Sequence, residues 1–394
     1  MSKPDIIVIG GGVIGSSITY YLSKMGKRVL MIERRDNCSG SAGASDGVVG
    51  YHTKKPGLQM ELAIQSIAMF DDLSQELGMD VEYRKNCGGM QPAETELEWK
   101  ILSDIVKEQR KSGVDIYMIS MKEACKIEPQ LNPDLYGALY SPTSGKVNPL
   151  KLTFAYIRAA KRLGAEVLYN TEVTKVLVKM NRVMGVETTK GTYYADQIID
   201  AAGSWAAEVA AMAGEDLPIR PRKGQLFITE PLGHFMDVTL QCARYNVIKF
   251  KPEAVGDKAV LRMGASLSIE QLKEGGLIIG STREFAGFDR ENTLEAMEAT
   301  MKRAVRFFPA LRDVNIIRAF AGLRPFTPDG LPILGESEKV PGFFVAAGHE
   351  GDGIALAPIT GKLMAQLVTE GKTSYPLDAF SPARFRKLSE GSIE

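Results

Sequence analysis

The sequence has little of the chemistry that metal-dependent and disulfide-linked proteins need. Of its 394 residues, four are cysteines and three are histidines. The cysteines are far apart and form no CxxC pair, and the histidines show no ligand pattern such as HExxH. The sequence therefore gives no support for an iron–sulfur cluster, a redox disulfide or a protein metal site, and we expect reduced thiols.

The chain also lacks an excess of charge and a long hydrophobic run. Lys plus Arg and Asp plus Glu number 48 each, so no electrostatic argument favours nucleic acid or an anionic membrane. No apolar stretch reaches the roughly 18 residues of a membrane span. Four residues precede the first predicted strand, which leaves no room for a signal peptide. We expect a cytoplasmic protein of two or three domains.

What is present, at the very start, is a dinucleotide-binding motif. Residues 6–9 form an apolar run typical of a buried parallel strand, and Gly10, Gly12 and Gly15 follow in GxGxxG spacing. These glycines allow a tight turn, close approach of the backbone to a pyrophosphate, and close packing of the helix on the strand. Glu33 ends the second strand, where a carboxylate can accept both ribose hydroxyls. The complete strand–loop–helix–strand order favours this interpretation over an ordinary buried turn.

Hydrophobic periodicity indicates how the rest of the chain is organised. Helices are predicted at residues 58–77, 94–110, 149–163, 294–308 and 354–368. Short strands are predicted within residues 166–199, at 342–347, and through most of 225–280, including 247–250 and 277–280. The sequence thus predicts an α/β protein, α+β overall, in which residues 225–280 form a sheet layer.

A second glycine-rich loop, at residues 348–353, precedes the last predicted helix. A helix N-terminus of this kind directs backbone N–H groups and a positive dipole at an anion. The N1/O2 edge of a reduced flavin is such an anion. The sequence thus predicts two helix N-termini that face anions, one for a pyrophosphate and one for a flavin ring. This combination favours FAD over NAD.

Four segments resemble the D-amino-acid oxidase superfamily: residues 6–15, 198–206, 321–335 and 346–358. The most similar branch contains glycine oxidase, the sarcosine oxidase β subunit, and the β subunits of proline, hydroxyproline and opine dehydrogenases. The resemblance covers nearly the whole chain. It implies a Rossmann-type FAD-binding domain at 1–85, 150–218 and 320–394, with an inserted substrate domain of mixed or antiparallel sheet at 86–149 and 219–319.

The resemblance and the two glycine loops predict the residues that contact FAD. They are Gly10, Gly12, Val13, Ile14, Gly15, Glu33, Arg34, Ala44, Ser45, Val173, Ala202, Gly203, Trp205, Gly322, Gly348, His349, Gly351, Asp352 and Gly353. Gly322 stands where monomeric sarcosine oxidase attaches its flavin through a cysteine, so non-covalent FAD is expected. No histidine lies in residues 141–149, where the sarcosine oxidase β subunit would attach FMN, so FMN is expected only at an interface with a partner.

Four residues are candidates for substrate binding. Arg324 matches the arginine that relatives use to bind the substrate carboxylate, and a guanidinium is a planar fork suited to that task. Tyr245 would wall the pocket or be an ordinary half-buried sheet tyrosine. His349 would contact flavin or substrate, or serve only through its backbone. His52 would lie beside the flavin or be an ordinary packing residue.

The resemblance implies hydride transfer from the amine-bearing carbon of an amino acid to flavin N5. Candidate substrates are D-amino acids, proline or hydroxyproline, sarcosine and opines. No general base stands out, and Glu350 and Asp352 are interpreted as helix caps. Ile278 replaces the oxygen-activating lysine of sarcosine oxidase, which favours a dehydrogenase over an oxidase.

Three alternatives stay open. The first is an oxygen-using oxidase of the glycine or sarcosine type. The second is a flavin-holding subunit that relays electrons to α and γ partner subunits. Arg324 argues against this second alternative, because a relay subunit needs no group to bind a substrate carboxylate. An aromatic hydroxylase is less favoured, because its Gly-Asp near the C-terminus is replaced here by Gly-His-Glu-Gly-Asp-Gly.

Overall fold

The computed structural model describes residues 3–255 and 258–385, without the side chains of 258–260. Its helices are α1 Val13–Lys24, α2 Leu58–Leu77, α3 Glu96–Arg110, α4 Met121–Ile127, α5 Pro149–Arg162, α6 Ala206–Met212, α7 Ala243–Phe250, α8 Lys258–Met263, α9 Leu294–Phe307 and α10 Gly353–Glu370. Its strands are β1 Ile6–Ile9, β2 Val29–Ile32, β3 Val48–Val49, β4 Gly89–Ala93, β5 Tyr117–Ile119, β6 Gly137–Ser141, β7 Gly145–Lys146, β8 Glu166–Leu168, β9 Val173–Lys179, β10 Arg182–Thr188, β11 Gly191–Tyr194, β12 Gln197–Asp200, β13 Arg220–Thr229, β14 Thr239–Gln241, β15 Ser268–Gln271, β16 Leu277–Gly280, β17 Ile316–Phe326, β18 Ile333–Glu336 and β19 Phe343–Ala347.

The N-terminal motif forms the centre of a six-stranded sheet of order β18-β19-β12-β1-β2-β8. The strands run parallel except β18, which is antiparallel to β19. β1 is fully buried, as its continuous apolar run predicts for a parallel strand covered on both faces. Helix α1 packs against α5 and α10, and Ser17 Oγ donates a hydrogen bond of 2.8 Å to the carbonyl of Ala357.

A second, eight-stranded sheet has the order β17-β13-β16-β15-β14-β4-β6-β5. All its neighbours are antiparallel except β14 and β4, so the predicted mixed sheet is confirmed. The longest pairing joins β13 to β17, with Arg222 opposite Arg324. The predicted domain boundary at residue 320 falls inside β17, and the division into FAD-binding and substrate domains stays a prediction.

The predicted helices agree with the structure to within two residues at most ends. The prediction of strands through most of residues 225–280 is wrong at two places. Residues 243–250, which include the predicted strand 247–250, form α7, and residues 258–263 form α8. Val247 packs against Ile101 and Ile105 of α3, so tertiary packing on a helix overrides the β-propensity of a four-residue alternation. Tyr245 therefore lies on a helix, which corrects its predicted place in the sheet.

No helix within the described residues is both long and apolar enough to cross a lipid bilayer. The same residues contain no group of three or more His, Cys, Asp or Glu side chains placed to hold a metal ion.

Candidate active site

One elongated cavity runs from the parallel sheet to the eight-stranded sheet. It begins where β1, β2, β12 and β19 end, because the carboxyl ends of parallel strands meet at one edge. The cavity is lined by all the predicted site residues except Gly15, His52, Gly348 and Asp352. Residues far apart in the sequence thus meet along a single cavity.

The glycine loop leaves one end of this cavity open to a phosphate. Gly10 has φ +112°, and a Cβ there would lie 2.5 Å from the carbonyl oxygen of Ala201. A Cβ on Gly15 would collide with the carbonyl of Gly10, so this glycine lets α1 lie close to the loop. A Cβ on Gly12 would meet no protein atom within 4 Å. Gly12 is also the N-cap of α1 and offers no capping side chain, so the first N–H groups of the helix suit an anion.

Glu33 and Arg34 shape the wall beyond the glycine loop. Glu33 is 8% exposed and accepts hydrogen bonds from the backbone N–H of Gly11 at 2.7 Å and of Arg35 at 2.8 Å. These bonds fix the carboxylate at the end of β2, where a ribose would meet it. The Arg34 guanidinium lies 4.0 Å from the Trp205 ring centroid. A phosphate-binding helix terminus, an oriented carboxylate and an aromatic wall fit the adenosine diphosphate half of FAD.

The last glycine loop forms the wall near the second sheet. Asp352 is the N-cap of α10, but its side chain makes no capping hydrogen bond. Its carboxylate instead pairs with Lys54 and Lys249, each at 2.8 Å. Glu350 likewise makes ion pairs and does not cap the helix. The interpretation of Glu350 and Asp352 as caps is therefore wrong, and the N–H groups of α10 stay available to an anion such as the flavin edge.

Arg324 lies on β17 with its guanidinium at the cavity. Nη1 donates to the carbonyl oxygen of Thr282 at 2.9 Å, and no ion pair joins Arg324 to any described residue. A Cβ on Gly224, in the neighbouring strand, would collide with the guanidinium, so this glycine provides its space. Arg324 therefore makes no structural salt bridge within the described residues.

Tyr245 and Gly351 lie beside the Arg324 side chain. A Cβ on Gly351 would be 3.6 Å from the Tyr245 hydroxyl and 3.7 Å from Arg324 Nε. Burial raises the pKa of Tyr245, so its hydroxyl stays protonated and able to donate. A guanidinium, a phenol and an open backbone segment from three separate elements therefore converge at this end of the cavity.

Two arginines share the Glu350 carboxylate behind this point. Arg283 and Arg222 donate to Glu350 at 2.7 and 3.3 Å, and Arg283 lies 4.4 Å from the Tyr245 ring centroid. Burial alone would raise the pKa of Glu350, but the neighbouring cations, Arg283 foremost, hold it well below its ordinary value. With Arg324, three arginines lie near two acidic side chains, Glu350 and Asp46. The surplus favours an anionic ligand.

The two histidines occupy different places. His52 is fully buried outside the cavity, with Nδ1 3.0 Å from Ser144 Oγ and Nε2 2.6 Å from Gln241 Oε1. His349 lines the cavity, and its Nε2 lies 3.1 Å from Thr360 Oγ1. Burial lowers the pKa of each to about 4, so both are neutral at pH 7. His52 therefore has the environment of a packing residue, whereas His349 is placed to meet a ligand.

Several residues in or next to the cavity were not predicted from the sequence. Arg222 and Arg283 lie in strand or loop segments that carry no motif. Gly224 makes room for Arg324 only because β13 pairs with β17 in this register, which a sequence pattern does not specify. Asp46, at the end of the small-residue loop, also lines the cavity. For Asp46, a charged residue ending a run of small residues was an available signal.

Comparison with known proteins identifies the class as FAD-dependent oxidoreductases. A family model with that description, DAO, matches residues 5–367. The chain belongs to this DAO family. It is 31% identical to a hydrogen cyanide synthase subunit, HcnC, of Pseudomonas aeruginosa, over 97% of this chain and 96% of that protein. It is also 31% identical to glycine oxidase of Geobacillus kaustophilus, over 96% and 97%.

Solved structures show the same similarity. L-proline dehydrogenase from P. horikoshii has a TM-score of 0.86 and 30% identity, covering 100% of this chain and 99% of that chain. Glycine oxidase from Geobacillus kaustophilus has a TM-score of 0.86 and 30% identity, covering 98% and 99%. The predicted superfamily, fold class, FAD cofactor and oxidation of an amino acid or amine are confirmed at the level of the family.

Proposed function

We propose that this protein oxidises a small amino acid or secondary amine that carries a carboxylate, with Arg324 binding that carboxylate. The observation that carries the proposal is the Arg324 guanidinium, which meets the cavity with no ion-pair partner among the described residues. A guanidinium that lines a cavity and has no ion-pair partner favours a ligand that brings a carboxylate. Glycine oxidase and L-proline dehydrogenase, among the similar proteins, are named for substrates of this kind.

The chain's own residues would hold the reactants in place. Glu33 and the N-terminus of α1 would bind the ribose and pyrophosphate, and the N-terminus of α10 would face the flavin ring. Arg324 would fix the substrate carboxylate, while the Tyr245 ring would wall the pocket and its hydroxyl would donate a hydrogen bond. FAD, when bound, supplies the hydride acceptor. Alignment of the substrate C–H bond is then the main task of the protein.

We favour a dehydrogenase over an oxygen-using oxidase. No lysine is among the described residues that line the cavity, so the flavin would have no lysine ammonium at its wall to activate oxygen. Ile278 is 6% exposed and lies in β16 away from the cavity lining. One relative is named as a subunit of a hydrogen cyanide synthase, which supports the proposal of a partner protein. We propose that α and γ partner subunits would act as the electron acceptors. A cytoplasmic location stays our expectation.

The test is anaerobic mixing of the purified, FAD-loaded protein with a panel of compounds. Glycine, sarcosine, D-alanine, both enantiomers of proline, 4-hydroxyproline, iminodiacetate and an opine cover the proposed class. Bleaching of the flavin absorbance by at least one compound is expected. If none reduces the flavin while dithionite does, the proposed function is refuted. Slow recovery of colour in air, with fast recovery by a quinone, is the expected behaviour of a dehydrogenase.

A further inference from the structure

An acidic side chain stands at the substrate end of the cavity with no role so far. Asp46 ends the small-residue loop and lines the same cavity as Arg324 and Tyr245. Its Oδ2 accepts a hydrogen bond of 2.7 Å from Ser268 Oγ at the start of β15. The loop is held against β17 as well, since a Cβ on Gly322 would lie 2.7 Å from the carbonyl oxygen of Ala44. Asp46 is thus fixed between two strands of the substrate-side sheet.

A second carboxyl group lies behind Asp46. Glu270, also on β15, is 5% exposed, and its Oε1 accepts a hydrogen bond of 2.9 Å from the backbone N–H of Gly47. Its Oε2 is buried with no hydrogen-bond partner. Burial first, and the negative charge of Asp46 second, raise the pKa of Glu270 to about 7. Because the two carboxylates repel each other, the pair holds one proton near neutral pH.

Other charged groups around the pair do not neutralise it. Lys146, on β7, lowers the pKa of Glu270 by its charge, but its Nζ donates to the carbonyl oxygen of Gln271 at 2.7 Å. Burial raises the pKa of Cys87, so this thiol stays uncharged beside Glu270. Arg324 and Tyr245 line the same cavity as Asp46, and both interact electrostatically with its carboxylate. The pair therefore retains its capacity to take up a proton.

The remaining titratable groups at this end of the cavity cannot take a proton at neutral pH. His349 has a pKa of about 4, because burial disfavours its charged form. Glu350 is held ionised by Arg283 and Arg222. Tyr245 is already protonated. Among the described groups that line this end of the cavity, Asp46 is the one left as a proton acceptor, with Glu270 behind it.

We propose that the Asp46–Glu270 carboxyl pair accepts the proton of the substrate's ammonium group, an inference that rests on the proposed amine oxidation. Amino acids reach the enzyme as ammonium ions, which lack the lone pair that oxidation needs. The N–H bond breaks, its proton binds a carboxylate oxygen of the pair, and its electron pair stays on nitrogen. The nitrogen lone pair would then be free to form the C=N bond, for which FAD, when bound, would supply the hydride acceptor. The pair afterwards releases its proton to water. Asp46 is the group in contact with the amine, and Glu270 is a positioning residue that holds the neighbouring Gly47 by a hydrogen bond.

The first measurement is the pH dependence of the anaerobic flavin-reduction rate, at saturating concentration of a compound that bleaches the flavin. In the wild type the rate rises as pH increases through the pKa of the pair. Asp46→Asn slows reduction at pH 7 by about 100-fold or more. Its rate recovers only near the pKa of the free amine, about 10, where solution supplies the neutral amine. Glu270→Gln moves the wild-type rise to lower pH, because it removes the carboxyl group whose pKa is raised by burial.

The second measurement follows the ionisation of the same pair through ligand binding, without oxidation of a substrate. Tetrahydrofuran-2-carboxylate has an ether oxygen in place of the amine, so it brings a carboxylate but no ammonium. Its dissociation constant, followed by the flavin absorbance, should increase as pH rises and the pair becomes fully ionised. The increase shifts to lower pH in Glu270→Gln. It is smaller in Asp46→Asn, where only Glu270 of the pair can still ionise.

Glu128→Gln is the matched control. Burial also raises the pKa of Glu128, but this carboxyl group lies outside the cavity. Both profiles of this variant should follow those of the wild type. The proposal is overturned if Asp46→Asn keeps the wild-type rate profile, or if binding of the ether analogue to the wild type is independent of pH between about 5 and 9. Failure of every amine to bleach the flavin, with the pH-dependent binding intact, would count against the proposed function instead.

Discussion

Replacement of Arg324 by alanine removes the group on which substrate binding is proposed to depend. The guanidinium is held by one hydrogen bond, from Nη1 to the Thr282 carbonyl oxygen at 2.9 Å, and has no ion-pair partner among the described residues. Its other donors are therefore free for a carboxylate. Loss of one partner from a buried, charge-assisted pair costs about 2 to 5 kcal/mol. The dissociation constant of a carboxylate ligand should then rise by roughly 30- to 5,000-fold.

The assay is titration of the FAD-loaded protein with tetrahydrofuran-2-carboxylate, followed by flavin absorbance, and with substrate under anaerobic conditions. Arg324→Lys should recover part of the affinity, because an ammonium keeps the charge but loses the two-pronged geometry. Arg318→Ala is the matched control, since Arg318 is an exposed arginine on the same strand. Binding by Arg324→Ala within about threefold of the wild type, with FAD retained, would refute the carboxylate role.

Three further changes test the cofactor site and the buried charges. Gly12→Ala should lose FAD on gel filtration, yet its FAD-free form should keep the urea unfolding midpoint of the FAD-free wild type. Gly15→Ala should lower that midpoint, because its Cβ collides with backbone. Equal effects of the two changes on the midpoint would contradict this. The neutral His52 has a folded pKa of about 4, below the unfolded value of 6.5, so its contribution of about 3 kcal/mol is present above pH 6.5 and is lost as pH falls to 4. Urea midpoints of the wild type should accordingly fall more steeply over that range than those of His52→Gln, and parallel curves would refute the assignment. Glu350→Gln should reduce the free energy of unfolding by about 3 to 5 kcal/mol, because buried arginines lose their shared counter-charge; a stability equal to the wild type in urea would show that the charges are compensated elsewhere.

Local signals in the sequence were enough to predict the first βαβ unit. Its strand, glycine spacing and acidic residue lie within 33 consecutive positions, and each has one physical task. The prediction that Arg324 binds a carboxylate depended on the family motif. In the structure Arg324 lines the cavity, as that prediction requires. These features share one property: the residues that define them are adjacent in the chain.

Features that depend on long-range pairing could not be predicted. Arg222 meets Arg324 only through the register of β13 against β17, and Glu270 meets Gly47 across 223 positions of sequence. The helix that carries Tyr245 was mistaken for a strand, because packing against α3 decides its conformation. Hydrophobic periodicity and short motifs describe residues that are close in the sequence, so they do not predict such contacts.

The most direct test of the central claim compares amines with and without a carboxylate. The purified, FAD-loaded protein is mixed anaerobically with proline and pyrrolidine, with sarcosine and dimethylamine, and with the amino acid from the panel that reduces the flavin fastest and its decarboxylated counterpart. The account predicts that flavin is bleached by an amino acid and not, at equal concentration, by the amine that lacks its carboxylate. Equal bleaching by both members of each pair, or bleaching by neither, would contradict it.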